Sequence, residues 1–153
     1  MMIEFENRIE IDRPVEEVFR FLADLENLPK WNYFVTRVQK ISPGPLAEGA
    51  VYHQERKTDI QELRIVELEK DWLLTVETVP PSKPELRRSM TFEEINGKTR
   101  VIDRWSLESA YPELLQPLAR RKVKSAVHDN LLKLKDLLEK GRVTLQDGRQ
   151  VSL

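Results

Sequence analysis

Arg88 and Asp103 are the charged residues whose spacing places them where they could do chemistry. They lie on either side of the dipeptide Asn96-Gly97, which separates two runs of alternating apolar and polar residues. An Asn-Gly pair in that setting predicts a two-residue hairpin loop, and such a loop fixes the pairing register of its strands. The register pairs Arg88 with Trp105 and turns both charges toward the inner face as diagonal neighbours.

The same register sorts the remaining side chains of the two strands consistently. The outer face receives Glu93 opposite Arg100 and Ser89 opposite Arg104, as expected of a solvated surface. The bulky apolar residues all share the inner face: Leu86, Met90, Phe92, Val101, Trp105 and Leu107.

The charged pair has three interpretations. In the first, Arg88 and Asp103 form a structural ion pair that holds the strands in register. In the second, Arg88 anchors a carboxylate, phenolate or carbonyl group of a ligand while Asp103 orients the guanidinium. In the third, Asp103 acts as a general acid or base tuned by Arg88 and by burial. Only one inward carboxylate is found, which argues mildly against the enzyme.

Two weaker turn signals place other strands of the sheet. A tight turn at Lys70-Asp71 pairs Arg64 with Glu77 on the outer face, and a bulge near Val66 is compatible with the sequence. A tight turn at Thr58-Asp59 leaves His53 outside. These registers predict an inner face whose polar groups are Asn7, Tyr52, Gln54, Thr78, Arg88 and Asp103, and an apolar wall with a few polar groups is typical of a small-molecule pocket.

The elements that position these residues follow from the period of the apolar residues. Alternation over residues 3–11 predicts a strand, helical spacing over 15–23 predicts a helix that begins at Pro14, and LENLPKWN predicts a second short helix or turn. Residues 35–107 contain six strands, and residues 111–140 return to helical spacing. In the last helix, Pro117 marks either a kink or the residue near which the helix begins. Gly141 marks its end. The order predicts an α+β fold with a mostly antiparallel sheet.

The apolar stripe expected for the last helix consists of Leu115, Ala119, Val123, Val127, Leu131, Leu134 and Leu138. Residues 1–141 are expected to form one domain. The tail, 142–153, contains an Asp-Gly pair, which is compatible with a small appended hairpin, but such a hairpin is marginal alone and a disordered tail is an equal alternative.

Composition excludes several classes of function. There are no cysteines and two histidines, His53 and His128, without further ligands nearby, so we expect neither a metal nor another cofactor. A net charge of -1 argues against a nucleic-acid partner. No apolar run is long enough to span a membrane and the N-terminus does not resemble a signal peptide, so we expect a cytoplasmic protein. We expect it to be a monomer or a homodimer.

The basic run over residues 120–124 is most simply a solvated face; a transient contact with an anionic membrane or partner is the alternative.

Three segments carry a resemblance to a known superfamily: IEIDRPVEEVFRFLADLENLPKWN, the glycine-led strand GAVYHQER, and DNLLKLKDLLE. They resemble the START-like or SRPBCC superfamily, also called Bet v 1-like or helix-grip, and within it the polyketide cyclase/dehydrase-type branch. The resemblance implies a curved seven-stranded antiparallel sheet wrapped around a long C-terminal helix, with two short helices between the first two strands. It also implies a pocket between sheet and helix, as used across the superfamily for lipids, polyketides and other small molecules.

Together these inferences predict a set of ligand-binding residues, in which Trp31 is expected at the pocket mouth unless it only clamps the helices to the sheet. The set comprises Trp31, Tyr52, Gln54, Arg88, Met90, Phe92, Asp103, Trp105, Val127 and Leu131. The favoured hypothesis is binding of a small hydrophobic ligand. The alternatives are a cyclase, dehydratase or hydrolase with Asp103 as its catalytic residue, and an interaction domain with a vestigial pocket.

Overall fold

The computed structural model describes all residues, 1–153. Seven antiparallel strands form one sheet in the order β1-β7-β6-β5-β4-β3-β2. The strands are β1 Met2–Ile11, β2 Val35–Lys40, β3 Val51–Arg56, β4 Ile60–Glu69, β5 Leu73–Thr78, β6 Leu86–Ile95 and β7 Lys98–Glu108. Together with the long C-terminal helix, this arrangement confirms the predicted helix-grip fold.

The segment between β1 and β2 forms two short helices. Helix α1, Val15–Ala23, begins after Pro14. Two glutamates in its first turn stabilise the helix, because their negative charges lie at the positive end of the helix dipole. A 3₁₀ helix, Leu25–Lys30, follows and is capped by the Asp24 side chain, which accepts from the Glu26 amide. Its end places the buried Trp31 against the sheet.

The β6–β7 hairpin has the predicted register. Asn96 and Gly97 both adopt positive φ angles, 52° and 81°, as a two-residue loop of this kind requires. Arg88 pairs with Trp105, and Asp103 with Met90. The predicted register is therefore confirmed. It could be predicted because an Asn-Gly pair favours this turn through its own backbone angles.

The β4–β5 hairpin reaches the predicted pairing of Arg64 with Glu77 by a different route. The turn contains three residues rather than two, since Glu69 pairs with Leu73. The ladder then shifts by one residue between Ile65 and Glu67, which leaves Val66 as a bulge. The extra residue in the turn shifts the pairing register by one position, and the bulge shifts it back.

The predicted tight turn at Thr58-Asp59 is wrong. Glu55 pairs with Ile60, so four residues lie between the last paired positions, where the predicted tight turn has two. The Arg56 guanidinium closes this longer loop by donating to both carboxylate oxygens of Asp59, at 2.7 and 2.6 Å. The change of register is two residues, an even number, and the inward orientation of Tyr52 and Gln54 is therefore preserved.

Helix α2, Gln116–Lys140, lies across the sheet. Pro117 is in its first turn and marks the true start, whereas Gly141 ends it with φ 76°. Its C-terminal half is buried in the main core through Leu131, Leu134, Leu137 and Leu138. Leu115, expected in the apolar stripe, is instead exposed in a 3₁₀ turn, Glu113–Leu115, that precedes the helix.

The last residues form a second, two-stranded sheet of β8, Arg142–Thr144, and β9, Gln150–Ser152. This hairpin is not isolated, because Val143 and Leu145 are buried in the main core. Gln146 also donates to Asn130 of α2 at 2.9 Å.

No helix of the protein is both long and apolar enough to cross a membrane.

Candidate ligand-binding site

A cavity of about 440 Å³ lies between the sheet and the N-terminal half of α2, with the 3₁₀ helix and residues 31–35 as a third wall. Its volume is within the range of small-molecule sites. Of its 26 lining residues, 18 are hydrophobic, so apolar contact dominates the wall. The polar lining residues are Asn32, Gln54, Arg56, Gln61, Arg88, Lys122 and Asn130.

Arg88 and Asp103 form a bidentate ion pair at one wall of this cavity. Arg88 donates from Nε to Oδ1 at 2.8 Å and from Nη2 to Oδ2 at 2.7 Å. The indole Nε1 of Trp105 adds a third bond to Oδ2, at 3.0 Å. The Asp103 side chain is fully buried, whereas that of Arg88 is 13 % exposed and lines the cavity. Asp103 is therefore placed to orient Arg88 and does not itself line the cavity.

Two tryptophans hold the plane of the guanidinium. The Arg88 Cζ lies 4.6 Å from the ring centroid of Trp105 and 5.3 Å from that of Trp31, both within the range of cation–π interactions. Trp105 is itself stacked on Phe5, with centroids 5.7 Å apart. The guanidinium is thus fixed on three sides, and only Nη1 takes no part in the bonds to Asp103.

A second polar feature of the wall is a pair of buried glutamines. Gln54 donates from Nε2 to Oε1 of Gln61 at 2.9 Å, and Gln61 donates to the backbone carbonyl of Lys83 at 2.7 Å. Both side chains line the cavity. Gln61 was not predicted, although it lies two residues before the inward Leu63, and extending the strand alternation by one step would have found it.

The cavity approaches solvent beside the start of α2. Tyr111, Lys122 and Ala126 line the cavity and are also exposed on the surface. Asn130 lies deeper on the same helix, is buried, and is held by the bond from Gln146 of the C-terminal hairpin. The entrance is therefore formed by side chains that the sequence analysis did not place at the pocket.

The structure brings six of the ten predicted ligand-binding residues to the cavity wall. They are Trp31, Gln54, Arg88, Met90, Trp105 and Val127. The other four, Tyr52, Phe92, Asp103 and Leu131, are buried outside the lining.

The physical reason is that an inward side chain borders empty space only where nothing packs on it. Phe92 is covered by Phe19 of α1, with ring centroids 5.1 Å apart in an edge-to-face arrangement. Leu131 belongs to the half of α2 that is embedded in the core. Tyr52 is also in this core, where burial raises the pKa of its hydroxyl and the nearby carboxylates of Asp24 and Glu26 act in the same direction. The Tyr52 hydroxyl is therefore protonated at neutral pH.

No group of three or more His, Cys, Asp or Glu side chains is arranged to hold a metal ion. Acid–base chemistry in the cavity also has few candidates, because both oxygens of Asp103 are occupied by Arg88 and Trp105. The site is a largely apolar cavity whose wall carries three cations, Arg56, Arg88 and Lys122, and a few amides.

A sheet that encloses such a cavity beneath a long C-terminal helix defines a helix-grip domain. Residues 2–139 match the family model described as polyketide cyclase / dehydrase and lipid transport. The chain belongs to this family. No curated protein matches the chain.

Several solved structures share the fold. A START superfamily protein from Mycobacterium smegmatis superposes with a TM-score of 0.76 at 9 % identity, over 90 % of this chain and 97 % of that one. A protein from Deinococcus radiodurans gives 0.66 at 16 % identity, over 91 % and 99 % of the two chains. The di-domain ARO/CYC BexL from the BE-7585A biosynthetic pathway gives 0.73 at 18 % identity, over 90 % of this chain but only 46 % of its own length. At these identities the similarity establishes the fold alone.

Proposed function

We propose that this protein binds a small hydrophobic molecule in the cavity and recognises one neutral hydrogen-bond acceptor of that molecule through Arg88. The observation that carries the proposal is the Arg88 guanidinium, fixed by Asp103 and largely buried, in a wall of which 18 of 26 residues are hydrophobic. Apolar area supplies affinity, and a fixed polar group supplies orientation.

The charge balance at Arg88 favours a neutral acceptor over an anionic one. Its positive charge is already matched by the bidentate contact with the buried Asp103. A carboxylate or phosphate bound at Arg88 would add a negative charge close to Asp103, which this arginine already neutralises, at a cost in desolvation. A ketone, ester or phenol oxygen, in contrast, accepts a bond from Nη1 without adding charge. The two glutamines and Asn130 are further amide partners for neutral polar groups of the ligand.

The enzyme alternative has less support from the geometry. Asp103 was the predicted general acid or base, yet it lies behind Arg88 and its oxygens already accept three hydrogen bonds. The interaction-domain alternative requires a cavity filled by large side chains. An open volume of about 440 Å³ favours binding instead.

The test is native mass spectrometry of the purified protein, followed by organic extraction and a thermal-shift screen of polycyclic ketones, phenols, esters and fatty acids. We expect a retained apolar compound or a stabilising ligand with a neutral acceptor. Selective stabilisation by carboxylates would contradict the proposed acceptor class. Absence of any bound compound from several expression hosts, together with no thermal shift, would overturn the proposal.

The double substitution Arg88→Met with Asp103→Leu is the matched binding variant, because it removes both charges together and leaves no buried ion unpaired. It is expected to stay folded and to lose selectivity for the acceptor group. The control is Arg87→Met with Glu77→Leu, which removes the outward ion pairs of Arg87 with Glu77 and Glu67 and alters no residue of the cavity wall.

A further inference from the structure

Apolar side chains are exposed beside the cavity entrance, where the chain approaches α2. Leu114 is 94 % exposed, Leu118 is 61 % exposed and Tyr111 is 52 % exposed, and Leu115 lies between them. Clustered exposed leucines are unfavourable in water and mark a surface that contacts something apolar. We call these four residues and the basic residues of the next two turns the rim patch.

The basic part of the rim patch consists of Arg120, Arg121, Lys122 and Lys124, all exposed. None of them takes part in any of the protein's salt bridges. The nearest acidic residues along the chain are Glu113, exposed in the 3₁₀ turn that precedes the helix, and Asp129. Four unpaired cations therefore lie next to exposed leucines, although the whole chain has a net charge of only -1.

The rim patch is continuous with the cavity. Tyr111 and Lys122 belong to the patch and also line the cavity. On a helix, Leu118 and Lys122 are four residues apart and share one face. A surface that engages the patch is thus in contact with the cavity entrance.

We propose that the rim patch docks the protein on an anionic lipid bilayer, with the leucines in the interfacial region and the basic residues among the headgroups. Apolar side chains beside Lys and Arg are the combination that binds such interfaces. A second copy of this chain is a poorer occupant, because a two-fold contact through the leucines brings the two basic clusters together. Docking places the apolar cavity against the layer in which hydrophobic molecules dissolve, whatever the ligand is.

The experiment is co-sedimentation of the full chain with vesicles of phosphatidylcholine alone or with about a quarter phosphatidylglycerol. We expect binding to the anionic vesicles only, and weaker binding as salt rises. Arg120→Gln with Arg121→Gln is expected to weaken binding about 25-fold, at about five-fold for each charge. Leu114→Ser with Leu118→Ser is expected to weaken it about ten-fold or more.

Matched controls exist on the same molecule. Leu132→Ser alters an exposed leucine on the distal half of α2, and Lys70→Gln with Lys98→Gln removes two exposed cations at hairpin turns. Both controls should bind vesicles as the unaltered protein does. Absence of binding to anionic vesicles, equal binding to neutral ones, or binding unchanged in both rim-patch variants would overturn the proposal. Self-association that is lost in the leucine variant, without vesicle binding, would assign the patch to a second copy instead.

Discussion

Arg88 contacts both carboxylate oxygens of Asp103, at 2.8 and 2.7 Å, while its guanidinium lies between two tryptophan rings. Asp103 is fully buried and Arg88 nearly so. The cation that faces the cavity is therefore held by an anion that does not. This division of roles predicts different effects for the two residues.

Substitution of Asp103 alone is expected to destabilise the fold. Asp103→Leu leaves the largely buried Arg88 charge and the Trp105 indole without their acceptor, and breaking a buried pair in this way costs about 3 to 5 kcal/mol. The double substitution with Arg88→Met is expected to recover most of that loss. Urea unfolding of the two single variants and the double variant measures the coupling. Additive losses would show that the pair contributes little.

Ala126 offers a test of the entrance. Its side chain is exposed and also lines the cavity, so Ala126→Trp is expected to obstruct the opening without disturbing the core. Ligand association should slow at least several-fold while the melting temperature of the free protein stays within a few degrees. The neighbouring Ser125→Trp is the control, because Ser125 is exposed and does not line the cavity. Equal effects of the two substitutions would place the entrance elsewhere.

How far the sequence predicted the site depended on the strength of each local signal. The Asn96-Gly97 turn determines its register through its own backbone angles, so the positions of Arg88 and Asp103 followed from the sequence. The connection near Thr58-Asp59 has no such dipeptide. Its loop is closed by backbone and side-chain bonds between Arg56 and Asp59, which strand periodicity does not encode.

The cavity lining was harder to predict than the inward face. A strand's period of two says that Phe92 of β6 points inward, and the helical period says the same of Leu131 in α2. Whether an inward side chain meets empty space depends on which part of α1 or α2 lies over it. That is a property of tertiary packing, which no local pattern in the sequence specifies.

The C-terminal hairpin is expected to contribute to stability as part of the core. Leu145 is 2 % exposed, so Leu145→Ala should lower the free energy of unfolding by about 2 to 5 kcal/mol, as for other buried leucines. Leu153→Ala removes an exposed leucine from the same hairpin and should change it little. Chemical denaturation measures both. A loss below about 0.5 kcal/mol for Leu145→Ala would show that the hairpin is only loosely attached.

The acid stability of the fold is expected to depend on Glu139. Partial burial raises the pKa of this carboxyl, but bonds from Lys135 at 2.8 Å and from the Asp12 amide at 2.7 Å, with the charge of Arg13, outweigh it and leave the pKa below its ordinary 4.5. A carboxyl whose pKa is lowered on folding stabilises the folded state above its unfolded pKa. That stabilisation is lost as the pH falls through the folded value.

Glu139→Gln should therefore lower the free energy of unfolding at neutral pH, and the difference from the unaltered protein should shrink as the pH falls below about 4.5. Urea unfolding measured across this pH range tests the expectation. Glu94→Gln is the control, because Glu94 is exposed and forms no salt bridge, and its effect should be small at every pH. A difference for Glu139→Gln that does not vary with pH would mean that the side chain acts through packing and not through its charge.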